Sequence, residues 1–310
     1  MTLMRRLLII GCGDVGMRLI PLVRERYRLY ALTRDAAHCA PLRALGVTPV
    51  MGDLDKPHTL EALAGIAQDI VHLAPPPAHG SADTRTAHLI AALGKNSRGS
   101  LPQHFIYIST SGVYGDCGGA IVAETRTLRP ATPRARRRVD AEQRLRAWGG
   151  RNGVRVSILR VPGIYAADRL PTARLARGTP ALRDEDDGYV NHVHADDLAQ
   201  MVVAALHHGQ AGRAYNATDD MPQKMGAYFD LVADRFGYAR PRRVTREQAT
   251  SEIPESLLSF MSESRRLSNR RIKEELRVKL RYPSVREGLL QASVREGVPL
   301  GAGVSAVTRP

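Results

Sequence analysis

Residues 7–10, Leu-Leu-Ile-Ile, run straight into Gly11-Cys12-Gly13-Asp14-Val15-Gly16, and no other stretch restricts the fold as much. Four consecutive apolar residues suit a parallel strand buried on both faces. The segment that follows carries Val15, Leu19, Ile20, Leu22 and Val23 at helical spacing. Strand, glycine turn and helix, in that order, form the context in which Gly-x-Gly-x-x-Gly holds a dinucleotide. Gly11 would permit the tight turn, Gly13 the approach of a pyrophosphate, and Gly16 the packing of helix against strand. Amides at the helix N-terminus, around Asp14 and Val15, would face the phosphates, and Cys12 is simply a small residue within the turn. A structural glycine turn in some other α/β domain is the competing reading.

Strands and helices then alternate, the pattern of an α/β fold with a doubly wound parallel sheet (Rossmann). Further strands are expected over 28–33, 47–51, 69–73, 104–109 and 154–160. Helices are expected over 37–45, 58–67, 84–93 and 133–148, the last broken by Gly149-Gly150. Past residue 163 the alternation loosens into Tyr189–His194, a helix over 195–207, a strand over 213–217 and a helix over 225–236. An arginine-rich helix is expected around 264–276. This divides the chain into an NAD(P)-binding Rossmann domain over 1–165 and a smaller C-terminal substrate lobe over 166–300, interleaved with the sheet. A disordered tail is expected over 301–310.

The formal net charge of +14 comes from arginine, since lysine occurs only at positions 56, 95, 224, 273 and 279. Such an excess can mark a nucleic-acid partner. Here the arginines are scattered apart from small clusters at 134–138, 240–243 and 265–271, and no recognition motif accompanies them, so nucleic acid is not the expected partner. Cys12, Cys39 and Cys117 match neither a metal knuckle nor a disulfide framework, and no metal is expected. Asp14 and the glycines interrupt the N-terminal apolar run before any cleavage site, and no apolar stretch approaches the ~20 residues of a membrane span. A cytoplasmic protein with no membrane partner is expected.

The cofactor itself is read at the strand ends. An acidic residue closing the second strand would select NAD, but that place carries Thr33 and Arg34. A hydroxyl beside a guanidinium suits a 2′-phosphate, which favours NADP over NAD, although Arg34 can also be an exposed loop arginine. Asp53, followed by Leu54, stands where it could accept from the adenine amino group or serve an ordinary turn. Leu73 and Ala74, ending the fourth strand, complete the expected cofactor contacts on this side.

Taken together, four segments resemble the extended short-chain dehydrogenase/reductases, the NAD(P)-dependent epimerase/dehydratase family. They are Gly11–Gly16, Gly52-Asp53-Leu54, Ile108-Ser-Thr-Ser-Gly-Val-Tyr-Gly115 and Leu159-Arg-Val-Pro-Gly-Ile-Tyr165. Asn191–Asp197 resembles a later motif, and the likeness covers roughly residues 5–220. By resemblance, Thr110 with its neighbour Ser111 would hydrogen-bond the reacting oxygen, and Pro162 would line the nicotinamide pocket. The family's acid/base is a tyrosine with a lysine four residues later. No tyrosine lies between Tyr114 and Tyr165, and none of the 10 tyrosines has lysine at that spacing. The matching positions are Arg134 and Arg138, neither able to shuttle a proton at neutral pH. They could hold an anionic substrate, a carbonyl or the cofactor, or be two exposed helix arginines.

The chain is therefore similar to an atypical subgroup lacking the Tyr-x-x-x-Lys pair. The expected function is an NADP-dependent oxidoreductase or epimerase of a small, anionic carbonyl or hydroxyl substrate. Tyr114, Tyr165, His192 and His194 are candidate proton donors, Tyr114 also being suited to order its loop and the histidines to pack or cap. A catalytically silent NADP(H)-binding redox sensor or regulator is the alternative. The resemblance also offers a homodimer paired through helices 84–93 and 133–148.

Overall fold

The computed structural model describes residues 4–95, 100–254, 257–258 and 261–295; the tail expected over 301–310 lies outside them. Its centre is one seven-stranded, wholly parallel sheet. In chain order the strands are β1 (Arg5–Ile10), β2 (Tyr27–Thr33), β3 (Val47–Met51), β4 (Asp69–His72), β5 (His104–Thr110), β6 (Arg155–Val161) and β7 (Arg213–Asn216). Their order across the sheet is β7-β6-β5-β4-β1-β2-β3. The order therefore reverses beside β1, and in such sheets ligands bind at the carboxyl ends of the strands flanking the reversal.

The apolar run in β1 is uninterrupted because both of its faces are covered. Leu7 and Ile9 face a core with Leu19, Ile20, Leu198, Met201 and Val202, from helix α1 (Asp14–Val23) and the helix Ala195–His208. Leu8 and Ile10 face the opposite core, with Phe105, Tyr107, Ala141, Leu145 and Trp148. After α1 the chain forms, in order, α2 (Cys39–Ala44), α3 (Thr84–Gly94), α4 (Pro133–Asn152), α5 (Ala195–His208), α6 (Met225–Phe236) and α7 (Val285–Arg295). Strand β7, from beyond residue 166, joins the main sheet by pairing with β6. A separate core of Tyr165, Leu175, Tyr228, Phe229, Val232, Val285 and Leu289 lies beneath α6 and α7.

Three expected boundaries move. Helix α4 passes through Gly149-Gly150 and ends at Gly153, whose φ of +65° forms the cap. A side chain at Gly149 would come within 2.6 Å of Val156, so this glycine lets helix and strand touch rather than breaking the helix. The 58–67 segment is instead a 3₁₀ helix at Pro57–Leu63. The arginine-rich helix expected over 264–276 shrinks to Arg270–Glu274. Its first part is extended, because Arg266-Leu267 pairs with Ile121-Val122 and Ser264 O accepts from the amides of Cys117 and Gly119. Local propensity yields here to strand pairing with a segment about 150 residues away.

Among the described residues no helix is long and apolar enough to cross a membrane.

Candidate functional site

The carboxyl ends of β1, β4, β5 and β6 open into one cleft of about 540 Å³. At one end stands the glycine turn. Gly11 has φ +85°, and a Cβ there would lie 2.5 Å from the Ala74 amide nitrogen. Gly16 packs against Cys12 Sγ and Leu73, at 3.2 and 3.3 Å from its would-be Cβ. Nothing lies within 4 Å of a Cβ at Gly13, so the backbone there is open to the cleft. An open glycine at the start of α1 is the cradle that a dinucleotide pyrophosphate requires. Asp14 occupies the first helical turn, and its carboxylate is held by Arg18 and Arg169 at 2.8 and 2.9 Å.

The cleft brings together Gly11, Gly13, Asp14, Val15, Gly16, Leu73, Thr110, Ser111, Arg134, Arg138 and Pro162 from the residues singled out in the sequence. Cys12, Thr33, Arg34, Asp53, Leu54, Ala74 and Tyr114 are not among its lining residues. Cys12 packs beneath Gly16, and burial pushes its thiol up to about 11. Ala74 supports Gly11 from behind, and Leu54 is buried in the core. The Thr33 hydroxyl is used by its own turn, donating to Asp35 O and accepting from Asp35 N, which leaves Arg34 exposed beyond it. Asp53 accepts from the Asp55 amide at 3.0 Å, as a turn aspartate does. Next to it Arg85 forms a bidentate pair with Asp55.

Tyr114, a candidate proton donor also suited to order its loop, lies in the core and not among the residues lining the cleft. It is 1 % exposed, donates to Asn216 Oδ1 at 2.7 Å and accepts from Arg160 Nη1 at 2.9 Å. Burial raises its phenol to about 12. Tyr165 is likewise buried, donating to Ser284 O. Below the cleft floor Ser109 Oγ donates to Glu142, which also holds Arg160.

At the far end, α4 contributes its first turns. Thr132 caps it, accepting from the Ala135 amide, with Pro133 at the first position. Arg138 donates through Nη1 to Tyr107 Oη and Ile108 O, at 2.9 and 2.8 Å, which pins its guanidinium to the end of β5. Burial and neighbouring arginines lower Arg134, against a rise from Glu263. Thr110 Oγ1 accepts from the Gly112 amide. Glu263 and Arg265 were not legible as site residues: they enter the cleft only because the 264–268 segment pairs alongside 117–122.

His192 lines the cleft, stacked 4.2 Å from the ring of Tyr228, whereas His194 caps α5 by accepting from the Asp196 amide. Burial lowers His72 to about 3 and both His192 and His194 to about 4. The unfolded chain takes up these protons near pH 6.5, where the folded protein still refuses them. Stability is thus unaffected by these groups above pH 7 and is lost as pH falls from about 6.5 to 4. Each histidine contributes up to about 1.4 kcal/mol per pH unit within that window. Urea midpoints measured from pH 7 to 4 should fall steeply, and less so in His192→Gln; a flat profile would contradict the burial.

No group of three or more metal-ligating side chains occurs among the described residues. Residues 7–218 match the family model described as the NAD dependent epimerase/dehydratase family. A curated relative, the NAD(P)H azoreductase of Xenophilus azovorans, is 26% identical over 270 residues, covering 82% of this chain and 83% of its own. Among solved structures, a functionally unknown conserved protein from Silicibacter pomeroyi superposes with a TM-score of 0.76 at 28% identity, over 94% of this chain and 98% of its own. A UDP-glucose 4-epimerase from Thermotoga maritima, at 18% identity, reaches 0.73 over 92% and 96%; that likeness is one of fold.

Proposed function

Because the chain belongs to the NAD dependent epimerase/dehydratase family, we propose that it is an NADP-dependent oxidoreductase or epimerase of a small anionic carbonyl or hydroxyl compound. One observation carries the reading. The open Gly13 cradle and the hydroxyls of Thr110 and Ser111 line the same cleft, with Arg138 fixed between β5 and α4. The nicotinamide, when bound, supplies or accepts a hydride; the protein's part is to position the reacting carbon and oxygen. The amides of residues 13–16 would hold the phosphates, and Pro162 would line the nicotinamide side. Thr110 and Ser111 hydrogen-bond the reacting oxygen, and the α4 arginines attract and orient the anion.

The preference for NADP rests on Arg34, exposed past β2, with no acidic residue in its place. Arg34→Ala is expected to weaken NADPH about 10- to 100-fold, the worth of one or two charged hydrogen bonds, and to leave NADH nearly unchanged. Calorimetric titration reads both, and equal losses would refute the role.

A second reading is supported by a specific observation: among the described residues no tyrosine lines the cleft, and by sequence position Arg134 and Arg138 match the family's acid/base pair. A silent NADP(H) sensor would bind one redox form much more tightly and turn nothing over. Titration with NADPH, NADP⁺, NADH and NAD⁺, followed by a carbonyl panel with NADPH, separates the two readings. Absence of binding by all four nucleotides would sink both.

A further inference from the structure

The far end of the cleft holds two polar groups whose needs the protein leaves unmet. Glu263 has a side chain only 9% exposed, and its Oε2 accepts from Arg265 Nη1 at 2.6 Å. The same Arg265 nitrogen donates to Gly115 O at 2.8 Å, so the pair is fixed in place. The other carboxylate oxygen, Oε1, is buried and receives no hydrogen bond among the described residues. The second group is Arg138. Its two acceptors are neutral oxygens, and no carboxylate pairs with it among the described residues. Both side chains line the cleft, as does His192, 6% exposed, with Nδ1 unbonded among the described residues.

A buried acceptor without a donor destabilises the site that holds it, and an uncompensated guanidinium in a cleft attracts an anion. One ligand meets both needs when it carries a negative group together with a donor such as a hydroxyl. We propose that this end of the cleft is a binding site for a hydroxylated organic anion. Its acidic group lies on Arg138, assisted by Arg134, and a hydroxyl donates to Glu263 Oε1. The proposal narrows the substrate class of the function proposed above and rests on that reading for its role in catalysis. The fixed negative charge of Glu263 gives the site discrimination: it repels a second anionic group and rejects a chain that has no hydroxyl to offer. A simple cationic patch would have neither property.

Three probes of similar length separate the terms: D-gluconate carries carboxylate and hydroxyls, hexanoate only the carboxylate, and D-sorbitol only hydroxyls. Each is titrated calorimetrically into the full-length protein saturated with NADP⁺, or into the bare protein if no nucleotide binds. Gluconate is expected to bind at least tenfold more tightly than either partial probe. Arg138→Met should bring gluconate down to the level of sorbitol. Glu263→Leu should bring it down to the level of hexanoate while hexanoate itself binds as before or more tightly, since a repelling charge is gone. Should the leucine variant fail to fold, Glu263→Gln keeps an acceptor for Arg265 and should still weaken gluconate by about threefold without weakening hexanoate. Gluconate binding no better than the partial probes, or equal losses for all three in the Glu263 variants, would overturn the site. Failure of the cofactor reading appears separately, as absence of NADP⁺ binding.

Discussion

Gly11→Ala is expected to lower the free energy of unfolding by about 3 kcal/mol and to abolish nucleotide binding. The backbone at Gly11 has φ +85°, where an L side chain costs about 1–2 kcal/mol. The added methyl would also stand 2.5 and 2.6 Å from the Ala74 nitrogen and Cα. These are backbone atoms at the end of β4, so no rotamer change relieves the overlap, and overpacking of this kind costs about 1–3 kcal/mol more. Either the turn leaves its place or β4 does, and both carry the cleft. Gly13→Ala provides the contrast. Its φ is −86° and its Cβ would meet nothing within 4 Å, so stability should change by less than about 0.5 kcal/mol. The methyl would nonetheless fill the space that a phosphate needs, and nucleotide affinity should fall at least tenfold. Urea unfolding and calorimetric titration of the two variants check the pair. A Gly11→Ala protein with the parent's urea midpoint would show that the turn is not packed as described.

Glu142→Ala should destabilise by about 4 kcal/mol, the largest stability effect foreseen for a single side chain here. Its carboxylate is fully buried, accepting from Ser109 Oγ at 2.6 Å and from Arg160 Nε and Nη2 at 3.1 and 2.7 Å. Arg146 adds a contact at 3.2 Å from the solvent side. Arg160 is 3% exposed and also donates to Tyr114 Oη and Glu124 O. Removing the carboxylate strands a buried guanidinium, and breaking such a pair costs about 3–5 kcal/mol, whereas replacing both partners by apolar groups is often neutral. The double variant Glu142→Leu/Arg160→Leu should therefore be more stable than Glu142→Ala. If the single variant loses under about 1 kcal/mol in urea unfolding, the network does not bear on stability. The same network takes up the Tyr114 hydroxyl. That hydroxyl closes the far side of this buried cluster, tying the turn after β5 to Asn216 at the end of β7.

The elements that the sequence placed well are those whose signal is local and periodic. The Leu7–Ile10 run, with Gly11 to Gly16 after it, specified strand, turn and helix because a two-faced strand and an amphipathic helix have different periods. The parallel strands after it follow from the same alternation. Helix α4 was misjudged at Gly149 because glycine was read as a helix breaker, while its cause is the close contact with Val156 across the helix–sheet interface. The 264–276 stretch has helix-forming arginines, yet its backbone groups pair with 117–122, an outcome set by contacts that local propensity does not register.

For the candidate site the division is similar. Gly11, Gly13, Gly16, Thr110, Ser111 and Pro162 were legible because each stands near the carboxyl end of a strand, and parallel strands bring those ends to one edge; Arg138, on helix α4, was legible only through its match to the family's helix motif. Tyr114, only a few residues beyond Thr110, looked equivalent, but the 3₁₀ turn at Ser111–Tyr114 rotates it into the core. Glu263 and Arg265 carried no such signal, lying far along the chain at the start of a stretch that reads as an arginine-rich helix. By itself, then, the sequence determined the parallel sheet, the glycine cradle and the strand ends that face it, since these depend on residue spacing within single elements. Only the tertiary structure decided which side chains turn toward the cleft and that a buried carboxylate shares it with the α4 arginines. Those outcomes depend on long-range packing and on where each buried polar group finds its partner.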